Sequence, residues 1–253
     1  MNTGLEGRSV IVTGAGNGTG RAAAVRFARE GAYVLVADLR RAGAEDTVKA
    51  VADVGGTALA VVGDLSDQQV VHRVVDTAVE AFGGVDVLVH NAALMDQMSV
   101  VSETGDAEWY RVIEVNLTAP FLLTRAVLPH MMAEGRGSIV FTAAEAGLRG
   151  SIAGAACTAA KHGVIGLVRS LAVTYFGVGV RTNAIAPGGT GTDLPTAALP
   201  KAHGDNVFAP LFGGAGRVAT AEEQAAAIVF LASDAAAHIN GTLLAVDDGW
   251  SAA

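Results

Sequence analysis

Short apolar runs alternate with longer amphipathic stretches along this chain. The short runs fall at 9–13, 32–37, 58–62, 85–89, 138–141, 180–186 and 243–246. They are apolar throughout rather than alternating, which predicts strands covered on both faces, as in a parallel sheet. Helices are predicted over 20–30, 108–132 and 153–175. Two more are predicted from end signals. Ser66-Asp67-Gln68-Gln69 reads as a capping box opening a helix to about Phe82, and Thr220-Ala221-Glu222-Glu223 opens the last one. Trp109, Tyr110, Met131 and Met132 have helical spacing and read as packing residues. The alternation predicts an α/β fold in one domain, residues 1–253. Its expected form is a Rossmann-type, doubly wound parallel sheet of about seven strands with helices on both faces. The segment 188–219 is rich in Gly, Pro and Ala and reads as a substrate lid. Its Val207, Phe208, Pro210, Leu211 and Phe212 favour a small hydrophobic molecule.

Composition narrows the partners. Lys and Arg number 17 against 25 Asp and Glu, so the net charge of −8 argues against a nucleic-acid backbone. The single cysteine, Cys157, excludes an internal disulfide and any multi-cysteine metal site, and no metal is expected. The start, Met1-Asn2-Thr3-Gly4-Leu5-Glu6, shows no basic-then-apolar signal, and the apolar run 225–232 is too short to span a bilayer. A soluble cytoplasmic protein, with no membrane partner, is the expectation.

The first strand leads into Thr13-Gly14-Ala15-Gly16-Asn17-Gly18-Thr19-Gly20 and then a helix. Glycines there permit a tight turn and let backbone N–H groups approach a pyrophosphate at the helix N-terminus. Three glycines alone are a weak signal, because glycine-rich turns are common. The second strand, however, ends in Asp38, where a carboxylate can accept both ribose hydroxyls of an adenosine and repel a 2′-phosphate. The pair predicts NAD rather than NADP, with Arg40 and Arg41 just beyond as the contrary feature.

With these motifs in order, the sequence resembles the short-chain dehydrogenase/reductase family over nearly its whole length. Thr13 to Gly20 matches the family's TGxxxGxG. Asp64-Leu65 is similar to the pair that holds the adenine ring, and His90-Asn91-Ala92-Ala93 to NNAG with two substitutions. Asn116 matches the family's helix asparagine. Asn183 to Pro187-Gly188, with Thr192 behind, resembles the NxxxPGxxxT stretch beside the nicotinamide, and Val246-Asp247-Asp248-Gly249-Trp250 the C-terminal VDGG. The resemblance implies the fold, an NAD site and a homotetramer. Its cofactor-binding residues are Gly14, Asn17, Gly18, Thr19, Gly20, Asp38, Leu39, Asp64, Leu65, Asn91, Ala92, Lys161, Pro187, Gly188 and Thr192.

The catalytic segment departs from the family pattern. The family uses Tyr-x-x-x-Lys with a serine thirteen residues before the tyrosine; here Lys161 is in place, but Cys157 holds the tyrosine position and Ala144 the serine position. A positioned acid is worth roughly 10² to 10⁴ in rate. A thiol at that Cα is shorter than a phenol and a weaker donor. Four residues remain candidates for catalysis. Lys161 holds the nicotinamide ribose in the family. Asn116 bends its helix and positions a water there, with a buried side chain bonded to backbone as the other reading. Glu145 directly follows Ala144 and is a replacement acid if burial raises its pKa, or else a solvated loop glutamate. Cys157 is a nucleophile or base if Lys161 and the nicotinamide lower its pKa, or else a small apolar filler. Asp96, His162 and His203 rank lower. The predicted function is an NAD(H)-dependent oxidoreductase acting on a small hydrophobic carbonyl, alcohol or imine through a non-standard proton donor. The alternatives are an NAD-binding isomerase, lyase or cyclase, and a non-catalytic NAD-binding protein.

Overall fold

In the computed structural model, which describes residues 3–150, 152–191 and 216–252, all seven apolar runs form strands. They are β1 (Ser9–Thr13), β2 (Tyr33–Asp38), β3 (Thr57–Val62), β4 (Val87–His90), β5 (Gly137–Thr142), β6 (Val180–Pro187) and β7 (Leu243–Val246). Every pairing is parallel, in the order β3-β2-β1-β4-β5-β6-β7. The order reverses between β1 and β4, which opens a crevice beyond the C-terminal strand ends where open α/β sheets bind ligands.

Two apolar layers sandwich the sheet. On one face Val10, Val12, Val34, Val36 and Val140 meet α1 (Gly18–Arg29), α2 (Arg41–Asp53) and α7 (Ala221–Ala232). On the other, Ile11, Leu35, Leu88 and Ile139 meet α3 (Gln68–Phe82), α5 (Ala119–Glu134) and α6 (Ala155–Tyr175). Neighbouring residues thus face opposite layers, so an unbroken apolar run is what the central strands need. The edge strands do not follow. Leu59 of β3 and Leu244 of β7 are half-exposed, because no further strand or full helix layer covers them among the described residues.

Several local expectations change. Helix α2 carries Ala44, Thr47 and Val51 inward, a helical spacing of small or polar residues that leaves no apolar stripe to read. Ser66 does not cap α3. Its hydroxyl bonds Asp64, and Asp67 caps instead by accepting from the Gln69 N–H. Thr220 and Glu223 do form the capping box on α7. Met131 is buried, but Trp109, Tyr110 and Met132 are partly or largely exposed, lying on the outer side of α4 (Asp106–Ile113) and α5.

The predicted helix over 108–132 is α4 and α5 joined by a π-helical turn, Glu114–Thr118. Pro120 lacks the N–H that would bond the Asn116 carbonyl, so the α ladder breaks there. The Ala119 N–H reaches back to the Glu114 carbonyl instead. The whole stretch Asp106–Glu134 is long and apolar enough to cross a membrane by composition. It lies against the sheet, with Leu123, Val127 and Met131 in the core.

Candidate active site

The glycine turn is built around Thr13 at the end of β1. Its hydroxyl donates to the Val89 carbonyl and accepts from the Asn91 and Ala92 N–H groups at 3.0 and 3.1 Å. The Asn91 amide donates back to the Thr13 and Gly14 carbonyls. β1 and β4 are thereby clipped together at the switch point. Close approach requires the glycines. A Cβ on Gly14 would lie 2.6 Å from the Ala92 Cα, one on Gly16 2.7 Å from the Asp38 carboxyl carbon, and one on Gly20 would overlap the Gly14 carbonyl. Gly14 and Gly18 also have positive φ. Asn17 stands at the helix N-cap in extended backbone without a side-chain cap bond, so the first turn of α1, with Thr19, presents its N–H groups to the crevice.

Arg21 and Thr47, which sequence reasoning passed over, brace this turn. Arg21 donates to the Gly16 carbonyl and to the Thr47 hydroxyl, and Thr47 donates to the Ala15 carbonyl at 2.7 Å. Thr47 reads as an ordinary helix residue until α2 is placed beside the turn.

Asp38 is buried, and its carboxylate is aimed by two backbone donors, Gly16 at 2.7 Å and Arg40 at 2.8 Å. The Arg40 guanidinium approaches only to 4.0 Å. Leu39 beside it is 62% exposed, an apolar cover next to the carboxylate with no protein partner to bury it. Asp64 accepts from the Ser66 N–H and hydroxyl and pairs with Arg111 of α4. Burial alone would raise this carboxyl, but those donors hold it below the ordinary carboxylate range. Leu65 turns inward onto the α3–α5 layer. Pro187 ends β6, and Gly188 lies where a Cβ would meet the Asp247 backbone at 2.9 Å. Thr192, His203 and most of the predicted lid lie outside the described residues.

Further along the same edge, Cys157 and Lys161 sit one turn apart on α6, both buried. The Lys161 amine donates to the Thr142 carbonyl at 2.8 Å. Burial holds its ammonium down at about 8, with no carboxylate among the described residues to offset the lost solvation; Cys157 pulls the other way. Cys157 fits the filler reading and not the nucleophile one. Its thiol donates to the Leu94 carbonyl and accepts from the Asp96 N–H, among Ala146, Ala153 and Ala156. Burial first, and the neighbouring Asp96 carboxylate next, push the thiol up to about 12, against a smaller opposing pull from Lys161. A group so placed is thiol at neutral pH. Iodoacetamide at pH 8 is therefore expected to leave Cys157 unmodified in the folded protein and to label it after denaturation. Rapid labelling of the native form, followed by mass spectrometry, would overturn that assignment.

Asn116 takes the backbone-bonded arrangement. From the π turn it accepts from the Leu94 N–H at 2.7 Å and donates to the Leu94 carbonyl at 2.8 Å, with its amide also 3.6 Å from the Cys157 sulfur. Asp96 is neither solvated nor free. Its two oxygens accept from the Met98, Gly154 and Cys157 N–H groups at 3.1, 3.1 and 2.9 Å. Gly154, the N-cap of α6, has no side chain to cap with, so Asp96 caps the helix from the loop after β4.

Glu145 is almost fully buried, so the solvated reading fails. Burial raises its pKa, Arg149 draws it back, and the adjacent Asp247 carboxyl raises it further. The side chain is ion-paired with Arg149, which also donates to the Trp250 carbonyl and stacks over its ring at 5.3 Å. Glu145 thus ties the turn after β5 to the C-terminal segment. His90 is neutral. It lies between the Thr124 hydroxyl at 2.8 Å and the Phe141 ring, and burial drives its pKa down to about 3. A cleft of about 770 Å³ opens at the opposite, N-terminal edge of the sheet, between Arg8, Asp86, Arg136 and Phe176; none of the residues above lines it.

Comparison with known proteins agrees with this geometry. A family model described as enoyl-(acyl carrier protein) reductase matches residues 14–251. The cis-4-hydroxycyclohexanecarboxylate dehydrogenase of Sinomonas cyclohexanicum is 42% identical over 97% of both chains. The chain belongs to the short-chain dehydrogenase/reductase family. Among solved members, a short chain dehydrogenase from Mycobacterium paratuberculosis bound to NAD superposes with a TM-score of 0.91 at 28% identity, covering 98% of this chain and 99% of that one. A Beutenbergia cavernae protein designated an NAD(P)-dependent gluconate 5-dehydrogenase, with NADP at low occupancy, gives 0.87 at 40% identity over 98% of both chains.

Proposed function

We propose that this family member is an NAD(H)-dependent oxidoreductase acting on a small hydrophobic carbonyl, alcohol or imine, and that it works without the hydroxyl pair usual in the family. The observation that carries the reading is the setting of Asp38. Its carboxylate is buried beside the glycine turn, held by the Gly16 and Arg40 N–H groups, with the Arg40 guanidinium in a long ion pair at 4.0 Å. A carboxylate so fixed accepts ribose hydroxyls and repels a 2′-phosphate, which favours NAD over the NADP held by two structural relatives. The residues fit the cofactor. The turn after β1 has the room only glycines leave, Asp64 is a partly exposed acceptor, and Lys161 is a buried cation with no carboxylate partner among the described residues.

When bound, the nicotinamide supplies or accepts the hydride. The protein orients and encloses. Asp38 and Asp64 would hold the adenosine end, and Lys161, fixed by the Thr142 carbonyl, would hold the nicotinamide ribose. The Ala144 side chain offers no hydrogen bond, the Cys157 thiol is spent on the Leu94 carbonyl, and the Asn116 amide donates to the Leu94 carbonyl and the Cys157 sulfur. Hydride addition to a preformed iminium cation yields a neutral amine and needs no proton, so a substrate that arrives as an iminium suits this site, whereas a neutral imine needs a proton as a carbonyl does. A carbonyl must draw its proton from Lys161, from Glu145, whose pKa burial raises, or from water.

Fluorescence titration with NADH and NADPH tests the reading. Micromolar NADH binding with at least tenfold weaker NADPH binding is expected. Absence of both would remove the oxidoreductase reading. Asp38→Ala is expected to weaken NADH binding by roughly 30- to 100-fold and to narrow the gap to NADPH, since charge-assisted bonds of about 2–3 kcal/mol are lost with the 2′-phosphate repulsion. An unchanged NADH affinity would show that the carboxylate does not meet the ribose.

A further inference from the structure

We propose that Arg111 is a positioning residue for adenine recognition, its guanidinium holding one oxygen of Asp64 ready to receive the 6-amino group of the cofactor's adenine. The inference rests on the NAD reading above and adds a residue to it.

The two oxygens of Asp64 are not equivalent. One accepts from both the Ser66 N–H at 3.0 Å and the Ser66 hydroxyl at 2.7 Å. A carboxylate oxygen has about two acceptor directions, so this one is filled. The other accepts from one Arg111 nitrogen and keeps a direction open. Without Arg111 only the Ser66 bonds to the first oxygen would set the plane of the carboxylate, and the second oxygen would be unanchored. With it, a single acceptor site faces outward.

Arg111 is itself held from two sides. Its second terminal nitrogen donates to the Ser66 hydroxyl at 3.1 Å and to Glu114 at 2.9 Å. Glu114 is the first residue of the π turn that carries Asn116. The guanidinium therefore bridges the loop after β3 to the helix at the rim of the crevice. Its planar fork suits that geometry, which one ammonium cannot reproduce. Arg111, Asp64 and Glu114 are all more than a third exposed, so solvent screens the ion pairs and their worth to folding is small. What remains for the network is orientation.

The test compares NADH with reduced nicotinamide hypoxanthine dinucleotide, which has an oxo group where adenine carries its amine and a proton on the adjacent ring nitrogen. The unsubstituted protein is expected to bind NADH roughly three- to tenfold more tightly, as for one hydrogen bond to a charged acceptor in partly exposed surroundings. Arg111→Met is expected to abolish that ratio by weakening NADH alone, and Arg111→Lys to recover part of it. A ratio near one in the unsubstituted protein, or an unchanged ratio in Arg111→Met, overturns the proposal. Equal weakening of both dinucleotides by Arg111→Met does the same, because it would assign Arg111 to the general shape of the crevice. If the unsubstituted protein binds neither dinucleotide, the NAD reading itself fails and takes this proposal with it.

Discussion

Replacing Asp96 by alanine is expected to cost about 3 kcal/mol of folding stability, since three buried backbone donors lose their acceptor together. Those donors are the N–H groups of Met98, Gly154 and Cys157. Two belong to the start of α6, where the helix field also favours a carboxylate. Asp96→Asn is expected to lose about half as much on the same reasoning. Its amide oxygen still serves the Met98 and Gly154 donors, while its NH₂ confronts the Cys157 N–H. Urea unfolding with an unchanged m-value would report the difference directly. A loss below about 0.5 kcal/mol for Asp96→Ala would show that water replaces the cap and that the helix start needs no help from the loop. Because Lys161 lies one turn beyond Cys157, the same variant is expected to weaken NADH binding as well.

The second large effect concerns Lys161. Its folded pKa near 8 lies below the ordinary 10.5, so between those values the unfolded chain binds a proton that the folded protein does not. Stability of the free protein therefore rises with pH across that window, and at neutral pH the charged, buried ammonium is a burden. Lys161→Met is expected to stabilise the free protein at pH 7 by up to about 3 kcal/mol and to flatten the rise between pH 8 and 10.5. Cys157 acts in the opposite sense, because its thiol is pushed above its ordinary value of 9.0. The comparison is therefore made in a Cys157→Ala background. A Lys161→Met variant that unfolds more easily at pH 7, with the pH slope intact, would mean the amine is solvated or paired. The same change is expected to weaken NADH binding. A residue that weakens the empty fold while serving the bound state is one kept for function.

The two results share one structural reason. Both run through Cys157, whose thiol is buried against the loop after β4. Leu94 meets the thiol, Asp96 caps the helix, and Met98 adopts a positive φ of 58° to let the loop turn. Restoring tyrosine at 157 would require that loop to withdraw, so adding back the hydroxyl pair is not an isolated change.

Much of this was legible along the chain. The unbroken apolar runs placed all seven strands, because central parallel strands are buried on both faces and leave no alternation to misread. The glycine turn and Asp38 were legible because their roles are local: tight backbone, helix start, strand end. α2 was not, since its inward residues are Ala44, Thr47 and Val51, and their spacing gains meaning only against the neighbouring helix. Arg21 and Thr47 were missed for the same reason.

The chemistry of the site divides in the same way. The residue types at 144, 157 and 161 (alanine, cysteine and lysine) could be read directly. Whether Cys157 is a nucleophile, whether Asp96 is free and whether Glu145 is solvated could not, because each depends on groups distant in the chain. Asp96 reaches Gly154 and Cys157 across some sixty residues, and Glu145 is set by Asp247 across a hundred. Sequence alone determined the parallel sheet, the dinucleotide crevice and the identity of its polar residues, because backbone geometry and residue type are local properties. Tertiary structure decided which of those residues are charged, which are spent on backbone donors and which still face the crevice, because solvation and hydrogen-bond partners exist only once the chain has folded back on itself.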